Sequence, residues 1–150
     1  ERQKVLSKEE VESRYEILMD EYEKQINIEA LTMLDIAKKD ILPAASKFSK
    51  ELTDTIANKK AIGIDLTYEL ETAKKVSEYL TEAYQALITL EKDVEKLHSI
   101  DDFEKSAFYV RDFIIQDMAS LRKPCDELEV ITSNSDWPFP TYGKLLFGIL

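Results

Sequence analysis

Apolar residues recur every three or four positions along most of this 150-residue chain, which is the spacing of an amphipathic α-helix. The first helical segment begins after Ser7, which forms the pattern of a capping box with Glu10. The apolar stripe that follows consists of Val11, Tyr15, Leu18, Tyr22 and Ile26. The pattern predicts a helix over residues 8–60 that ends at Gly63, because glycine readily takes the left-handed conformation found after helix C-termini.

Two prolines interrupt the helical pattern. Because proline lacks a backbone N–H and its ring crowds the carbonyl four residues earlier, we predict a kink or break near Leu42, just before Pro43. The first helix would then become a pair of unequal segments. For the same reason Pro124 predicts a local bend around Ser120 in the last helix.

Two further helices are predicted, over residues 66–98 and 101–132, with Ser99 and Asp101 as alternative caps for the second of them. Charged residues between the apolar positions, Glu69 among them, are interpreted as a solvated flank. The core stripe of the first of these helices is Leu66, Leu70, Ala73, Val76, Leu80, Ala83, Leu87, Leu90, Val94 and Leu97. The stripe of the second is Phe103, Ala107, Val110, Ile114, Leu121 and Leu128.

The short connections between these helices force neighbouring helices to run antiparallel. The predicted fold class is therefore all-α: a single helical domain over residues 1–150, built as an antiparallel up-down bundle of three to four long helices. Residues 133–150 are predicted to be an extended tail, since Pro138 and Pro140 alternate with aromatic residues there.

Composition narrows the range of partners. The formal net charge is −10, so the average surface repels nucleic acid and anionic membranes, and we expect neither as a partner. Cys125 is the only cysteine, which excludes a disulfide framework and suits a cytoplasmic protein. The first residue is Glu1 rather than Met, which suggests a piece of a longer protein.

Motifs for catalysis are weak or incomplete. Glu95 and His98 have the Glu-x-x-His spacing of di-iron bundles, but such sites need a second motif and His98 is the only histidine. The three glycines are isolated, so no Gly-rich phosphate loop is present. Cys125 lies beside an apolar stripe, so we expect its thiol to be buried or half-buried. We therefore predict no catalytic, cofactor-binding or metal-binding residues in this chain.

Three regions carry more apolar surface than a simple bundle requires. Residues 26–42 are apolar around most of the helix, the last helix has a second apolar face at Phe108, Ile115 and Ala119, and the tail is rich in aromatic residues. Either these side chains pack inside the bundle, or they dock on a partner. The residues assigned to the docking hypothesis are Ile28, Leu31, Trp137, Phe139, Tyr142 and Phe147.

Several of these segments resemble the helical C-terminal region of type III glutamine synthetases. The resemblance rests on Ser13–Leu18, Ile26–Met33, Ile41–Ala44 and the closing Trp137–Gly143 with Leu145–Phe147. It covers nearly the whole chain and is most specific in the tail and in Ile26–Met33.

This resemblance implies a parent enzyme that joins ammonia to glutamate with ATP and a divalent metal, in a homo-oligomeric ring. It places the catalytic, nucleotide and metal residues upstream of Glu1, so no cofactor is expected in this chain. The expected partners are the upstream catalytic domain and neighbouring subunits. Two alternatives remain open: a free-standing helical-bundle interaction module, and a metal-dependent bundle enzyme.

Overall fold

The computed structural model describes residues 7–140 and 142–148, and no β-strand occurs among them. Two π-helical turns, Ala37–Ile41 and Val110–Ile114, connect consecutive α-helices. The α-helices are α1 (Lys8–Ile36), α2 (Leu42–Ala61), α3 (Thr67–Leu97), α4 (Phe103–Tyr109), α5 (Ile115–Ile131) and α6 (Tyr142–Phe147). The predicted all-α fold class is confirmed.

Both ends of the α1–α2 helix use the predicted capping residues. The Glu10 amide donates to Ser7 Oγ at 3.2 Å, and the Ser7 amide donates to Glu10 Oε2 at 2.7 Å, which completes the capping box. At the other end Gly63 has a φ of 71°. The amides of Gly63 and Ile64 donate to the carbonyls of Lys60 and Lys59, a Schellman motif that satisfies the last carbonyls of α2.

The irregularity predicted near Pro43 is present, but the helix is not broken there. Upstream of the proline the chain passes into a π-helical turn, in which the Leu42 amide donates to the Ala37 carbonyl. Pro43 then lies in the first turn of α2, where a missing N–H is tolerated. The change of register therefore removes the steric conflict that Pro43 would cause inside a continuous α-helix.

The last helix contains an irregularity that the sequence did not predict. Its π-helical turn is Val110–Ile114, whereas α5 continues through Pro124, which is buried. Its N-cap also differs: the Asp102 carboxylate accepts from the Lys105 amide at 2.9 Å, so neither Ser99 nor Asp101 caps this helix.

Side-chain pairs along the molecule show that α3 runs antiparallel to the α1–α2 helix. Lys59 pairs with Glu69 near the connecting turn, and Lys38 pairs with Glu91 farther along. At the opposite end Asn27 Nδ2 lies 3.2 Å from His98 Nε2. The chain turns again after α3, and α4 and α5 pack along α3 and α1.

The assignment of Glu69 to the solvated flank was wrong. Glu69 is buried, and its carboxylate accepts a hydrogen bond from the Lys59 ammonium. This contact holds the pKa of Glu69 below its usual range. The pattern missed the contact because Lys59 lies on another helix, and only the turn at Gly63 brings the two residues together.

Most of the predicted stripes of the last two long helices form the core, in which α3 packs closely on α5. Leu70 and Phe103 are exceptions, because both lie at helix ends and are exposed. Fully buried members include Val76, Leu90, Leu97, Val110, Ile114, Leu121 and Leu128.

The N-terminal half of α1 does not contribute to this core. Val11, Tyr15 and Leu18 are exposed, although the pattern placed them on a core stripe. Only Tyr22 and Ile26 of that stripe pack against the core. The reason is length: α1 and α2 together extend farther than the 31-residue α3 can cover.

The tail was predicted correctly only in part. Residues 133–140 lie outside any helix and begin with a turn in which the Asp136 and Trp137 amides donate to the Ser133 carbonyl, both at 2.9 Å. Tyr142–Phe147 form α6, where an extended path was predicted. After Pro140 no further proline occurs, so nothing in residues 142–147 prevents a helical turn.

Replacement of the fully buried Leu90 tests the core. Leu90→Ala should lower the free energy of unfolding by roughly 2–5 kcal/mol, since the truncation leaves a cavity between α3 and its neighbours. Urea unfolding followed by circular dichroism measures this loss. The matched control is Leu18→Ala, at a position that is 63% exposed, which should cost less than about 1 kcal/mol. Equal losses in the two variants would contradict this assignment of the core.

Candidate contact surface

An apolar groove runs between α1 with its π-helical turn on one side and α5 on the other. Its cavity has a volume of about 470 Å³ and is open to solvent along one side. The lining residues are Ile28, Glu29, Thr32, Met33, Ile36, Ala37, Ile41, Met118, Leu121, Arg122, Cys125 and Asp126. Most of the lining is aliphatic or thioether, so the groove can bury apolar groups of a ligand or of another protein segment.

The π-helical turn helps to shape this groove. Ala37, within the turn, is buried and presents only a methyl group, so the backbone of α1 can approach the core closely here. Met33 and Met118 face the groove from opposite helices, and their unbranched side chains adapt to differently shaped partners. The groove is therefore a consequence of how α1 packs on α5.

Charged groups lie at the rim of the groove and are already paired along their own helices. Arg122 Nε donates to Asp126 Oδ2 at 3.3 Å, and Gln25 Nε2 donates to Glu29 Oε1 at 2.7 Å. Such exposed pairs contribute little to stability but keep the rim polar. An apolar centre within a polar rim is the usual anatomy of a protein interface.

Cys125 forms part of the groove wall and is not an activated nucleophile. Burial, together with the negative charge of Asp126, raises the pKa of the Cys125 thiol to about 11. The thiol is therefore neutral at physiological pH, and nucleophilic chemistry requires the thiolate. Its predicted role as a buried small apolar residue agrees with this position.

The predicted docking residues Ile28 and Leu31 lie on different surfaces. Ile28 is 60% exposed and lines the groove between α1 and α5. Leu31 is also exposed but lies in a smaller depression against α3, near Val94 and His98. Ile28 and Leu31 are neighbours on the surface of α1, but Ile28 lies on the flank that faces α5 and Leu31 on the flank that faces α3.

The tail divides into a docked part and an exposed part. Trp137 packs against the core and meets Phe139 in an edge-to-face contact, with ring centroids 6.2 Å apart. The adjacent Asp136 is almost fully buried and accepts from Lys47 Nζ of α2 at 2.7 Å. Trp137, one of the six residues assigned to the docking hypothesis, is thus held by its own bundle.

Beyond this anchor the apolar side chains project into solvent. Phe147 is 76% exposed, and Leu145 and Leu146 are exposed to a similar degree. The Tyr142 side chain lies outside the described residues. Helix α6 therefore presents consecutive apolar residues to solvent, which is unusual for a surface that stays uncovered.

A second apolar groove, which was not predicted from the sequence, lies at the N-terminal half of α1. It has a volume of about 290 Å³ and lies between α1 and α4. Its lining residues are Leu18, Met19, Tyr22, Ala107, Phe108 and Arg111. Arg111 lies 4.9 Å from the centroid of the Phe108 ring, a cation–π contact that leaves Phe108 partly exposed. The signal that could have revealed it is the second apolar face of the last helix, to which Phe108 and Ile115 belong.

Catalytic machinery is not evident in the described part of the chain. No three His, Cys, Asp or Glu side chains within residues 7–140 and 142–148 are grouped so as to hold a metal ion. His98, the one histidine, lies beside Asn27 on the surface. In the same residues no helix has both the length and the hydropathy required to cross a membrane.

Comparison with known proteins identifies relatives of this chain. A family model described as the glutamine synthetase C-terminal domain matches residues 1–60, which include α1, the π-helical turn and most of α2. The matched segment therefore contains one complete wall of the groove.

Relatives extend over nearly the whole chain. A glutamine synthetase of Butyrivibrio fibrisolvens is 34% identical over 97% of this chain, and a type-3 glutamine synthetase of Dictyostelium discoideum is 31% identical over 95%. A glutamine synthetase of Bacteroides fragilis is 24% identical over 97%. The chain spans only about a fifth of the length of each relative. It is therefore a homologue of the C-terminal region of glutamine synthetases, the type-3 enzyme included.

Proposed function

We propose that this chain is a non-catalytic structural domain of a type III glutamine synthetase. Its role is to contact the catalytic domain and the neighbouring subunits of a homo-oligomer. The observation that carries this proposal is the apolar groove between α1 and α5, which a helix or loop of another domain can fill. A bundle that served only as a spacer would have no use for such a groove.

The exposed apolar face of α6 supports the same role. Lys47 and the Trp137 anchor fix the start of the tail on the bundle, so that α6 projects from a defined point. Leu145, Leu146 and Phe147 are then available to another surface. Burial of three such side chains would stabilise an interface by several kcal/mol, at roughly 1.5–3 kcal/mol each.

The catalytic chemistry belongs elsewhere in the proposed parent protein. There, ATP and a divalent metal would serve the ligation of ammonia to glutamate in the cytoplasm, and their binding residues would lie in the part of the enzyme that this chain does not include. The described residues are consistent with this division, since most of their acidic groups are exposed and the Cys125 thiol is neutral.

The groove can be tested in the full-length protein that contains this domain. Ile28→Ser and Met118→Ser, one on each wall, should together weaken subunit association by about tenfold or more, because they remove apolar area from the centre of the contact. Mass photometry over a dilution series measures this change. The control is Val130→Ser on the surface of α5, where the side chain is 79% exposed and lies outside the groove.

The groove variant should keep its helical circular dichroism and lose only its association. If the groove variant and the Val130→Ser control dissociate at the same concentration as the unmodified protein, the groove is not a contact surface between subunits.

The absence of catalysis is tested on the isolated chain. Titration with ATP and magnesium, or with glutamate, should give no specific heat in calorimetry, since neither a phosphate loop nor a metal cluster is found in the described residues. Saturable binding of nucleotide with a defined stoichiometry would contradict a purely structural role.

A further inference from the structure

Three polar side chains meet where α3, α4 and α5 pack together. Tyr109 Oη of α4 donates a hydrogen bond of 2.6 Å to Asp93 Oδ1 of α3. Asp117 of α5 lies close enough to Asp93 for the two carboxyl groups to interact directly. The Asp117 Oδ2 atom is buried and has no hydrogen-bond partner when the group is written as a carboxylate.

An ionised Asp117 would be costly at this position. A buried carboxylate oxygen without a donor loses its hydration and gains nothing in return. The negative charge of Asp93 lies next to it, and two adjacent carboxylates cannot both ionise easily. A single proton on Asp117 removes both penalties, because the carboxylic acid can donate to Asp93 while Asp93 also accepts from Tyr109.

The neighbouring charged groups do not supply this missing donor. From α3, the Lys96 ammonium lies over the Tyr109 ring, 4.9 Å from its centroid. In the π-helical turn Arg111 and Asp112 pair with each other at 2.6 Å. From α1, Glu23 accepts from the Ser106 hydroxyl at 3.0 Å. Within residues 7–140 neither Asp93 nor Asp117 forms a salt bridge.

We propose that Asp93 and Asp117 share one proton that ties α5 to α3, and that loss of this proton weakens the contact as the pH rises. The shared proton makes the contact between the two central helices a pH-sensitive latch. Neutral Tyr109 is part of it, since its hydroxyl keeps Asp93 oriented towards Asp117.

The titration range of this latch lies close to neutrality. Burial, followed by the interaction with Asp93, raises the pKa of Asp117 to about 6. Burial and Asp93 likewise raise the pKa of Tyr109, so that its hydroxyl remains a donor throughout the physiological range.

The direction of the pH effect follows from proton linkage. An unfolded Asp loses its proton near pH 4, whereas folded Asp117 keeps it up to about pH 6. The contribution of the pair to stability is therefore greatest below about pH 4 and is lost as the pH rises through 6. Between pH 5 and pH 7.5 we expect the folding equilibrium constant to fall by roughly three- to tenfold through this pair.

The first experiment compares Asp117→Asn with Asp54→Asn in this chain. Both variants remove one negative charge, but Asp54 is an exposed residue of α2. Urea unfolding at pH 5 and pH 7.5 gives the folding equilibrium constants. Asp54→Asn should keep the pH dependence of the unmodified chain, whereas Asp117→Asn should lose the three- to tenfold component and be the more stable variant at pH 7.5. Equal pH dependence in all three proteins would overturn the proposal.

A second measurement does not depend on how well a variant folds. Carbon-13 NMR of the Asp side-chain carboxyl groups in the unmodified chain should show a titration midpoint near pH 6 for Asp117. In Asp93→Asn the new amide can donate to Asp117, so the midpoint should move towards the ordinary value near 4. A midpoint near 4 for Asp117 in the folded, unmodified chain would show that no proton is shared.

Discussion

The antiparallel packing of α3 on α5 is the contact on which the rest of this structure depends. Leu90 and Val76 of α3 and Leu121 and Leu128 of α5 are all fully buried there. The long α1–α2 helix packs on this pair of helices through fewer core residues. The N-terminal half of α1 extends beyond the pair. What α3 and α5 leave uncovered on α1 is an exposed apolar surface that includes Ile28 in one wall of the groove.

The same packing explains why the apolar groove and the Asp93–Asp117 latch lie so close together. Asp117 of the latch is followed directly by Met118, which lines the groove, and the next turn of α5 contributes Leu121, Arg122 and Cys125. A change in how α5 rests on α3 therefore acts on one wall of the groove. Because proteins transmit small shifts through packed helices, the charge state of one buried pair can matter to a surface that contains neither residue.

Sequence periodicity predicted the helices, their antiparallel order and the core stripes, because each depends on residues close together in the chain. It did not predict the burial of Glu69, the separation of Ile28 from Leu31, or the latch. These features depend on which residues of different helices meet, as Lys59 meets Glu69 and Asp93 meets Asp117. The prediction of an extended tail was wrong beyond Pro140, because proline restricts its own backbone and that of the preceding residue but not the residues that follow it.

We propose that the exposed apolar residues of this domain are covered by the remainder of a larger protein. Hydroxyl-radical footprinting of side chains, compared between the isolated chain and the full-length oligomer, measures that coverage. Ile28 and Leu145–Phe147 should react readily in the isolated chain and become protected in the oligomer, while Val130 should react equally in both. If Ile28 and Leu145–Phe147 react as readily in the oligomer as in the isolated chain, these residues are not covered by other parts of the protein.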